Sequence, residues 1–228
     1  MLEERQQKLL TLVVENYITT AEPVGSRYLV EKAGLDWSEA TVRNELRLLE
    51  VEGYLTHPHT SAGRIPTTKG YRFYIEQLDK DSLRVGKNDS QALEKAFSAN
   101  GQESQYKNVA KTLVQLSDET VIMAFSVEKM YYTGLSNLFS KPDFVELQLV
   151  ASVSRVFDRC EEYLPRFYER VENDPACYIG KDHPFGEMLS CVATRVGREG
   201  ESLLILLGPQ RMDYKNNWAL LKKVRELM

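Results

Sequence analysis

The sequence has no long apolar run, few cysteines and only three histidines among its 228 residues. Without a stretch of about 20 apolar residues, no segment is expected to span a membrane. The first eight residues lack the basic-then-apolar order of a secretory signal. The three cysteines, Cys160, Cys177 and Cys191, are widely spaced and predict no disulfide framework. We therefore expect a protein of the reducing cytoplasm with no membrane partner.

The same scarcity bears on catalysis and metal binding. Cys177, His183 and Cys191 are the residues that most invite a metal or nucleophile interpretation, with Asp182 adjacent, but their spacing matches no known zinc pattern. A Cys-His hydrolase would also need a base within hydrogen-bond reach and an oxyanion hole. Ordinary thiols, either buried or at a sheet edge, are the favoured interpretation. We expect no catalytic residue, no metal, no cofactor and no enzyme activity.

A third absence is local. Residues 53–75 contain no Asp or Glu, although the chain carries 33 of them and has a net charge of −4. Non-specific affinity for nucleic acid grows with the number of phosphates that Lys and Arg neutralise, so an acidic chain is a poor indiscriminate binder. A basic, carboxylate-free segment in such a chain favours selective binding to DNA.

Residues 38–52, which come directly before this segment, have the pattern of an amphipathic helix. Val42, Leu46 and Leu49 share one face, and Ser38 is a good N-cap. The opposite face carries Ala40, Arg43, Asn44 and Arg47. Arg can hold guanine O6 and N7 with two hydrogen bonds, and Asn can do the same for adenine N6 and N7. The alternative for such a face is ordinary solvated surface charge.

The carboxylate-free segment is predicted to form a short hairpin. Tyr54–Thr56 and Arg64–Pro66 flank a tip of small and polar residues, which is typical of the wing of a winged helix-turn-helix domain. Helices are expected at Glu3–Thr20, Ser26–Ala33 and Thr68–Leu78. The predicted DNA-binding residues are Ser38, Thr41, Arg43, Asn44 and Arg47 in the helix, His59, Thr60, Ser61 and Arg64 in the wing, and Lys69 and Arg72 beyond it. His57 is expected to pack, and Arg64 to contact phosphate or enter the minor groove.

The chain is long enough for two domains. We expect a DNA-binding domain at 1–78, a polar connector at 79–105 and an α+β domain at 106–228. The α+β domain is predicted to be an antiparallel sheet covered by helices. Its predicted helices are Tyr106–Leu116, a long one at Phe144–Val171 that Pro165 kinks or interrupts, and Tyr214–Leu227. Its predicted strands are Val121–Val127, Lys129–Thr133, Ala176–Gly180, Met188–Val196 and Ser202–Leu207.

Several strings closely resemble the heat-inducible transcription repressor family HrcA. In the first half they are Tyr-Ile-Thr-Thr-Ala-Glu-Pro-Val-Gly-Ser-Arg at 17–27, Ser-Glu-Ala-Thr-Val-Arg-Asn-Glu-Leu at 38–46 and Pro-His-Thr-Ser-Ala-Gly-Arg-Ile-Pro-Thr at 58–67. In the second half they are Thr-Gly-Leu-Ser-Asn-Leu-Phe-Ser-Lys-Pro-Asp-Phe at 133–144, Tyr-Ile-Gly-Lys at 178–181 and Gly-Pro-Gln-Arg-Met-Asp-Tyr at 208–214. The resemblance therefore covers both predicted domains.

The resemblance implies a winged-helix DNA-binding domain followed by a GAF-like domain with an inserted dimerisation segment. It also implies a homodimer that represses chaperone genes at an inverted-repeat operator of the CIRCE type, with the chaperonin GroEL as a further partner. This chain departs from the family between Ser117 and Tyr131, where a hairpin replaces a much longer middle region. We expect a reduced GAF-like domain.

The expected function is sequence-specific repression of heat-shock genes. A second interpretation stays open, in which the winged helix is a scaffold and the shortened second domain binds a chaperone or a metabolite. The acidic net charge favours this alternative.

Overall fold

The protein divides into two compact units, Met1–Leu78 and Asp79–Met228. The structure is a computed structural model, and it describes residues 2–32, 34–58, 62–126, 129–197 and 200–228. Among these residues, no helix is both long enough and apolar enough to cross a bilayer.

The first unit contains four helices and a two-stranded antiparallel hairpin within the described residues. These elements are α1 (Glu4–Thr20), α2 (Ser26–Lys32), α3 (Glu39–Val51), β1 (Leu55–Thr56), β2 (Ile65–Pro66) and α4 (Thr68–Glu76). Leu9, Leu10, Val13 and Val14 recur at helical spacing in α1 and are fully buried. α1 packs against α3 and α4, so the helix periodicity of the sequence directly determines this core.

The second unit is built on a five-stranded antiparallel sheet within the described residues, in the order β4-β3-β7-β6-β5. Its helices are α5 (Lys87–Ala96), α6 (Gln102–Ser117), α7 (Leu135–Ser140), α8 (Leu147–Asp158), α9 (Cys160–Arg170) and α10 (Tyr214–Leu227). Its strands are β3 (Thr120–Ala124), β4 (Met130–Thr133), β5 (Ala176–Ile179), β6 (Leu189–Val196) and β7 (Ser202–Pro209). This arrangement confirms the predicted α+β class, a winged helix-turn-helix followed by a GAF-like antiparallel sheet with covering helices.

The sheet is covered on both faces. One face presents Ile122, Ile205 and Ala193 from three neighbouring strands to a core formed with α7, α8 and α9. α6 and α10 also pack on the sheet, against β3 and β6. Every residue of β3 and β7 is buried, which explains why these strands are nearly continuous apolar runs in the sequence.

The prediction of one long helix at Phe144–Val171 is wrong, because the chain forms three shorter helices there. The chain makes a short 3-10 helix at Pro142–Phe144, then α8 and α9, which are separated at Arg159. Pro165, expected to cause the interruption, lies inside α9. The sequence did not signal the break because the buried positions continue at steps of three and four residues through it: Val153, Phe157, Cys160, Leu164 and Phe167.

Residues 79–105, interpreted from the sequence as a polar connector, fall in the second unit. They contain α5, which packs against α6 and α10. Leu93 is fully buried and Ala96 nearly so. This part of the chain is therefore anchored to the second unit by a small apolar face that polar neighbours obscure in the sequence.

Candidate nucleic-acid interface

α3 presents a continuous exposed stripe along one side. Ala40, Arg43, Asn44, Arg47 and Val51 are all exposed, and each lies three or four residues from another member of the set, so they share one face. The opposite face, formed by Val42, Leu46 and Leu49, is buried as the sequence predicts. The stripe is about 16 Å long, since each helical residue advances 1.5 Å.

The start of α3 is fixed by a cap. Ser38 Oγ accepts a hydrogen bond from the Thr41 backbone amide at 3.1 Å and lies 2.8 Å from Thr41 Oγ1. Both residues therefore have structural roles in the cap, although neither side chain is buried. The cap stabilises the first turn, where the free amides of a helix also favour a nearby phosphate.

The polar residues of the stripe make only weak contacts within the protein. Arg43 Nη2 lies 2.6 Å from Glu39 Oε1, but both side chains are largely exposed. Arg47 Nη2 lies 3.4 Å from Asn44 Oδ1, near the limit for a hydrogen bond. Exposed pairs of this kind contribute at most about 1 kcal/mol, so these three side chains can be redirected to an external partner at little cost.

Val51 extends the stripe and was missed by the sequence reasoning. Its side chain is 75% exposed, the largest exposure among the large apolar residues described in the first unit. Its distance of four residues from Arg47 was the signal that could have found it. Glu45, in contrast, is turned to α1, where its carboxylate accepts from Gln6 Nε2 at 3.2 Å.

The wing is joined to the loop between α1 and α2 by main-chain contacts. Val24 and Arg64 exchange two backbone hydrogen bonds of 2.9 and 2.8 Å. Gly63 lies so close to this loop that a Cβ would come within 2.5 Å of the Val24 backbone. Glycine at this position is what allows the wing to approach the loop.

Arg64 is placed differently from the sequence expectation. Its guanidinium Nη2 lies 2.8 Å from Glu50 Oε2, and its side chain is only 23% exposed. The other oxygen of Glu50 is in close contact with His57 Nδ1. The charge of Arg64 is thus already paired within the protein, and His57 packs against α3 through this carboxylate.

The two basic residues expected beyond the wing differ in their surroundings. Lys69 Nζ donates to the Glu52 carbonyl at the end of α3, at 2.8 Å, and lies 4.0 Å from the centre of the Tyr54 ring. Arg72 is exposed on α4. The side chain of Lys69 therefore compensates the negative end of the α3 dipole. His59, Thr60 and Ser61, the predicted tip contacts, lie outside the described residues.

The aromatic residues of α4 belong to the core of the first unit. Tyr71 and Tyr74 are almost fully buried, and Phe73 packs edge-to-face on Tyr54 with ring centres 5.8 Å apart. Burial therefore assigns Tyr71 and Tyr74 to the core of the first unit rather than to stacking on bases.

The cysteine and histidine group of the second unit does not converge. Tyr178 pairs with Cys191 across β5 and β6, so the preceding Cys177 points to the opposite sheet face. His183 is engaged at both ring nitrogens, by the Leu189 carbonyl and the Phe185 amide. Burial raises the pKa of the Cys177 thiol to about 12, which keeps it protonated near neutral pH. In the part of the chain that the structure describes, no three His, Cys, Asp or Glu residues are grouped to hold a metal ion.

Comparison with known proteins matches residues 82–217 to the family model described as the HrcA protein C-terminal domain. The heat-inducible transcription repressor HrcA of Thermodesulfovibrio yellowstonii is 33% identical over 192 residues, which are 80% of this chain and 55% of that protein. The repressor of the same name from Acetivibrio thermocellus is 58% identical over 81 residues, 36% of this chain and 23% of that protein. These matches span between about a quarter and about half of the relatives' own length.

A solved structure shares the fold. It is described as the crystal structure of a hypothetical protein, is 20% identical, and superimposes with a TM-score of 0.83 over 100% of this chain and 98% of that one.

Proposed function

We propose, from the premise that this chain belongs to the HrcA family of heat-inducible transcription repressors, that it is a sequence-specific DNA-binding repressor of heat-shock genes. The relatives are named as repressors and not as enzymes. The observation that carries the proposal is the exposed stripe of α3, whose Arg43, Asn44 and Arg47 are held by a capped, well-packed helix beside a wing.

In this proposal α3 enters the major groove. Arg43 and Arg47 contact guanine edges, Asn44 contacts adenine, and the exposed apolar side chain of Val51 lies against a thymine methyl group. Ser38 and Thr41 contact phosphate through the capped start of the helix. Arg72 and the tip residues His59, Thr60 and Ser61 approach the backbone on the wing side. Lys69 and Arg64 do not contact DNA in this proposal but hold the wing to the end of α3.

Charge supports a selective mode of binding. The first unit carries nine Lys and Arg against eleven Asp and Glu, a balance of −2. Few phosphates are neutralised by such a unit, so affinity for random DNA is low and base contacts decide the site. Two linked units on an inverted repeat would raise the affinity through effective concentration.

The second unit supplies the dimer contact in this proposal. Val145 and Leu147, at the start of α8, are 84% and 82% exposed, an unusual exposure for two large apolar residues so close in sequence. A two-fold contact through this region would cover them. Half-sites one turn apart would require two recognition helices about 34 Å from each other, or a multiple of that distance. The CIRCE-type operator and a contact with GroEL stay predictions from the family.

A gel-shift titration tests the proposal. The full chain should shift an inverted-repeat operator duplex of the CIRCE type in preference to a scrambled duplex, at two salt concentrations, and sedimentation should give a dimer. Equal affinity for both duplexes would refute sequence-specific binding. If the chain shifts neither duplex but binds a chaperone or a metabolite, the result would instead support the scaffold interpretation.

A further inference from the structure

Glu50 connects the end of α3 to both sides of the wing. Its Oε2 lies 2.8 Å from Arg64 Nη2, immediately before β2, and its Oε1 is in close contact with His57 Nδ1, immediately after β1. The carboxylate is only 22% exposed. A single side chain thus ties the recognition helix to both strands of the hairpin.

The main chain of the wing is held on the β2 side at Arg64 and, at the base of the β1 side, at Tyr54, whose amide donates to the Leu49 carbonyl of α3 at 2.9 Å. Arg64 exchanges two backbone hydrogen bonds with Val24, while His57 is reached through its side chain by Glu50. Two-residue strands such as β1 and β2 are too short to fix a hairpin by their own pairing. Nearer the tip, the β1 side of the wing is held to α3 by the contact between Glu50 and His57.

The negative charge of Glu50 is unexpected beside a surface that is proposed to bind DNA. A carboxylate beside a DNA-binding surface repels phosphate, so electrostatics alone would predict that Glu50 weakens binding. Glu50 also neutralises Arg64, one of only three Lys or Arg residues in the carboxylate-free segment 53–75. The negative charge of Glu50 at this position is best explained by the two side chains that it holds in place.

We propose that Glu50 is a positioning residue for the wing. By binding Arg64 and His57 it presets the wing for the duplex beside α3, so that less conformational freedom is lost on docking. The proposal rests on the DNA-binding function proposed above. Arg64 acts in it through Glu50 and is not a phosphate contact.

The first test compares Glu50→Gln with Glu52→Gln in the full chain. Each variant removes one negative charge, at positions two residues apart. The Glu52 side chain is exposed at the end of α3, whereas that of Glu50 is mostly buried in its contacts with the wing. Glu52→Gln should bind the operator duplex at least as tightly as the parent. Glu50→Gln should bind about fivefold more weakly, as expected for the loss of a partly exposed ion pair. Equal or tighter binding by Glu50→Gln would overturn the proposal.

The second test asks whether Glu50 acts through Arg64. Adding Glu50→Gln to Arg64→Gln should weaken binding by less than Glu50→Gln weakens the parent, because only the contact with His57 is then left to lose, and an undiminished effect would overturn the proposal. The dependence of the binding constant on salt should be unchanged in Arg64→Gln, since a paired guanidinium releases no counterion from DNA. A salt slope reduced by about one would make Arg64 a phosphate contact and overturn the proposal.

Hydrogen exchange separates this inference from the function on which it rests. In Glu50→Gln, and in the milder His57→Ala, the Arg64 amide that donates to Val24 should exchange faster, while core amides of α1 keep their protection. Unchanged exchange at Arg64 would overturn the positioning role even if the parent selects its operator. If the Arg64 amide exchanges faster in these variants but the parent protein shows no operator preference, the proposed function is refuted and the structural role of Glu50 still stands.

Discussion

Glu119 offers a sharp test of the structure of the second unit, through the dependence of stability on pH. Its carboxylate is 2% exposed and lies 2.6 Å from Lys141 Nζ, which is itself mostly buried. It also fills the space above Gly208, where a Cβ would come 2.1 Å from Glu119 Oε2. Burial raises the pKa of Glu119 from 4.5 to about 7, although Lys141 acts in the opposite direction.

The sign of the effect follows from this shift. The folded protein holds the proton more tightly than the unfolded chain, so the stabilisation is fully present below pH 4.5 and is lost as pH rises through about 7. Because a tenfold difference in proton affinity is worth about 1.4 kcal/mol, the whole effect amounts to about 3 kcal/mol. The free energy of unfolding should therefore fall between pH 5 and pH 8.

Urea unfolding at pH 5, 6, 7 and 8 measures the effect, with Glu119→Gln as the non-titrating comparison. A Trp37→Phe background leaves Trp218, which is nearly buried in the second unit, as the reporter. The difference in stability between the parent and Glu119→Gln should change by about 3 kcal/mol across this range. Glu146→Gln, which removes an exposed carboxyl, is the matched control and should follow the parent.

A pH-independent difference between the parent and Glu119→Gln would refute the reasoning. It would mean that Lys141 holds the carboxylate ionised throughout, and that attraction between the two groups outweighs the cost of burying them.

Three further predictions concern the other regions. Arg47→Ala should cost about 1 to 3 kcal/mol of discrimination at one operator position, measured by competition with single-base variants, whereas equal loss on operator and random DNA would exclude a base contact. Gly70→Ala should destabilise the first unit by about 1 to 3 kcal/mol in urea, because its Cβ would meet a backbone carbonyl at 2.3 Å. Gly25→Ala, with open space around it, should be nearly neutral by comparison. Leu147→Asp should shift sedimentation from dimer to monomer, and Met188→Asp, an exposed apolar position elsewhere, should not; a dimer in both variants would exclude α8 from the contact.

Local signals in the sequence predicted most of the first unit. The apolar spacing of α1 and α3, the Ser38 cap and the two wing strands all follow from interactions between residues close in the chain. The exposed stripe could be predicted for the same reason, since it is the face of α3 opposite its buried residues. The pairing of Arg64 with Glu50 could not, because it joins positions 14 residues apart across a turn.

In the second unit, too, features set by neighbouring residues were predicted and features set by distant contacts were not. The bounds of its strands were predicted within three residues from β-branched and apolar runs. The break at Arg159 was not predicted, because the apolar stripe of α8 continues unchanged into α9. α8 and α9 both pack on the sheet, so the change of direction between them depends on the sheet and is not specified by a local pattern.

The sequence by itself determined the classes of element, the buried faces and the family, since these depend on periodicity, caps and long matching strings. Only the tertiary structure decided which charges are paired, which thiols share a sheet face and which apolar residues remain exposed. Periodicity acts over a few residues, whereas a side chain's partner is set by strands and helices that approach one another from distant parts of the chain.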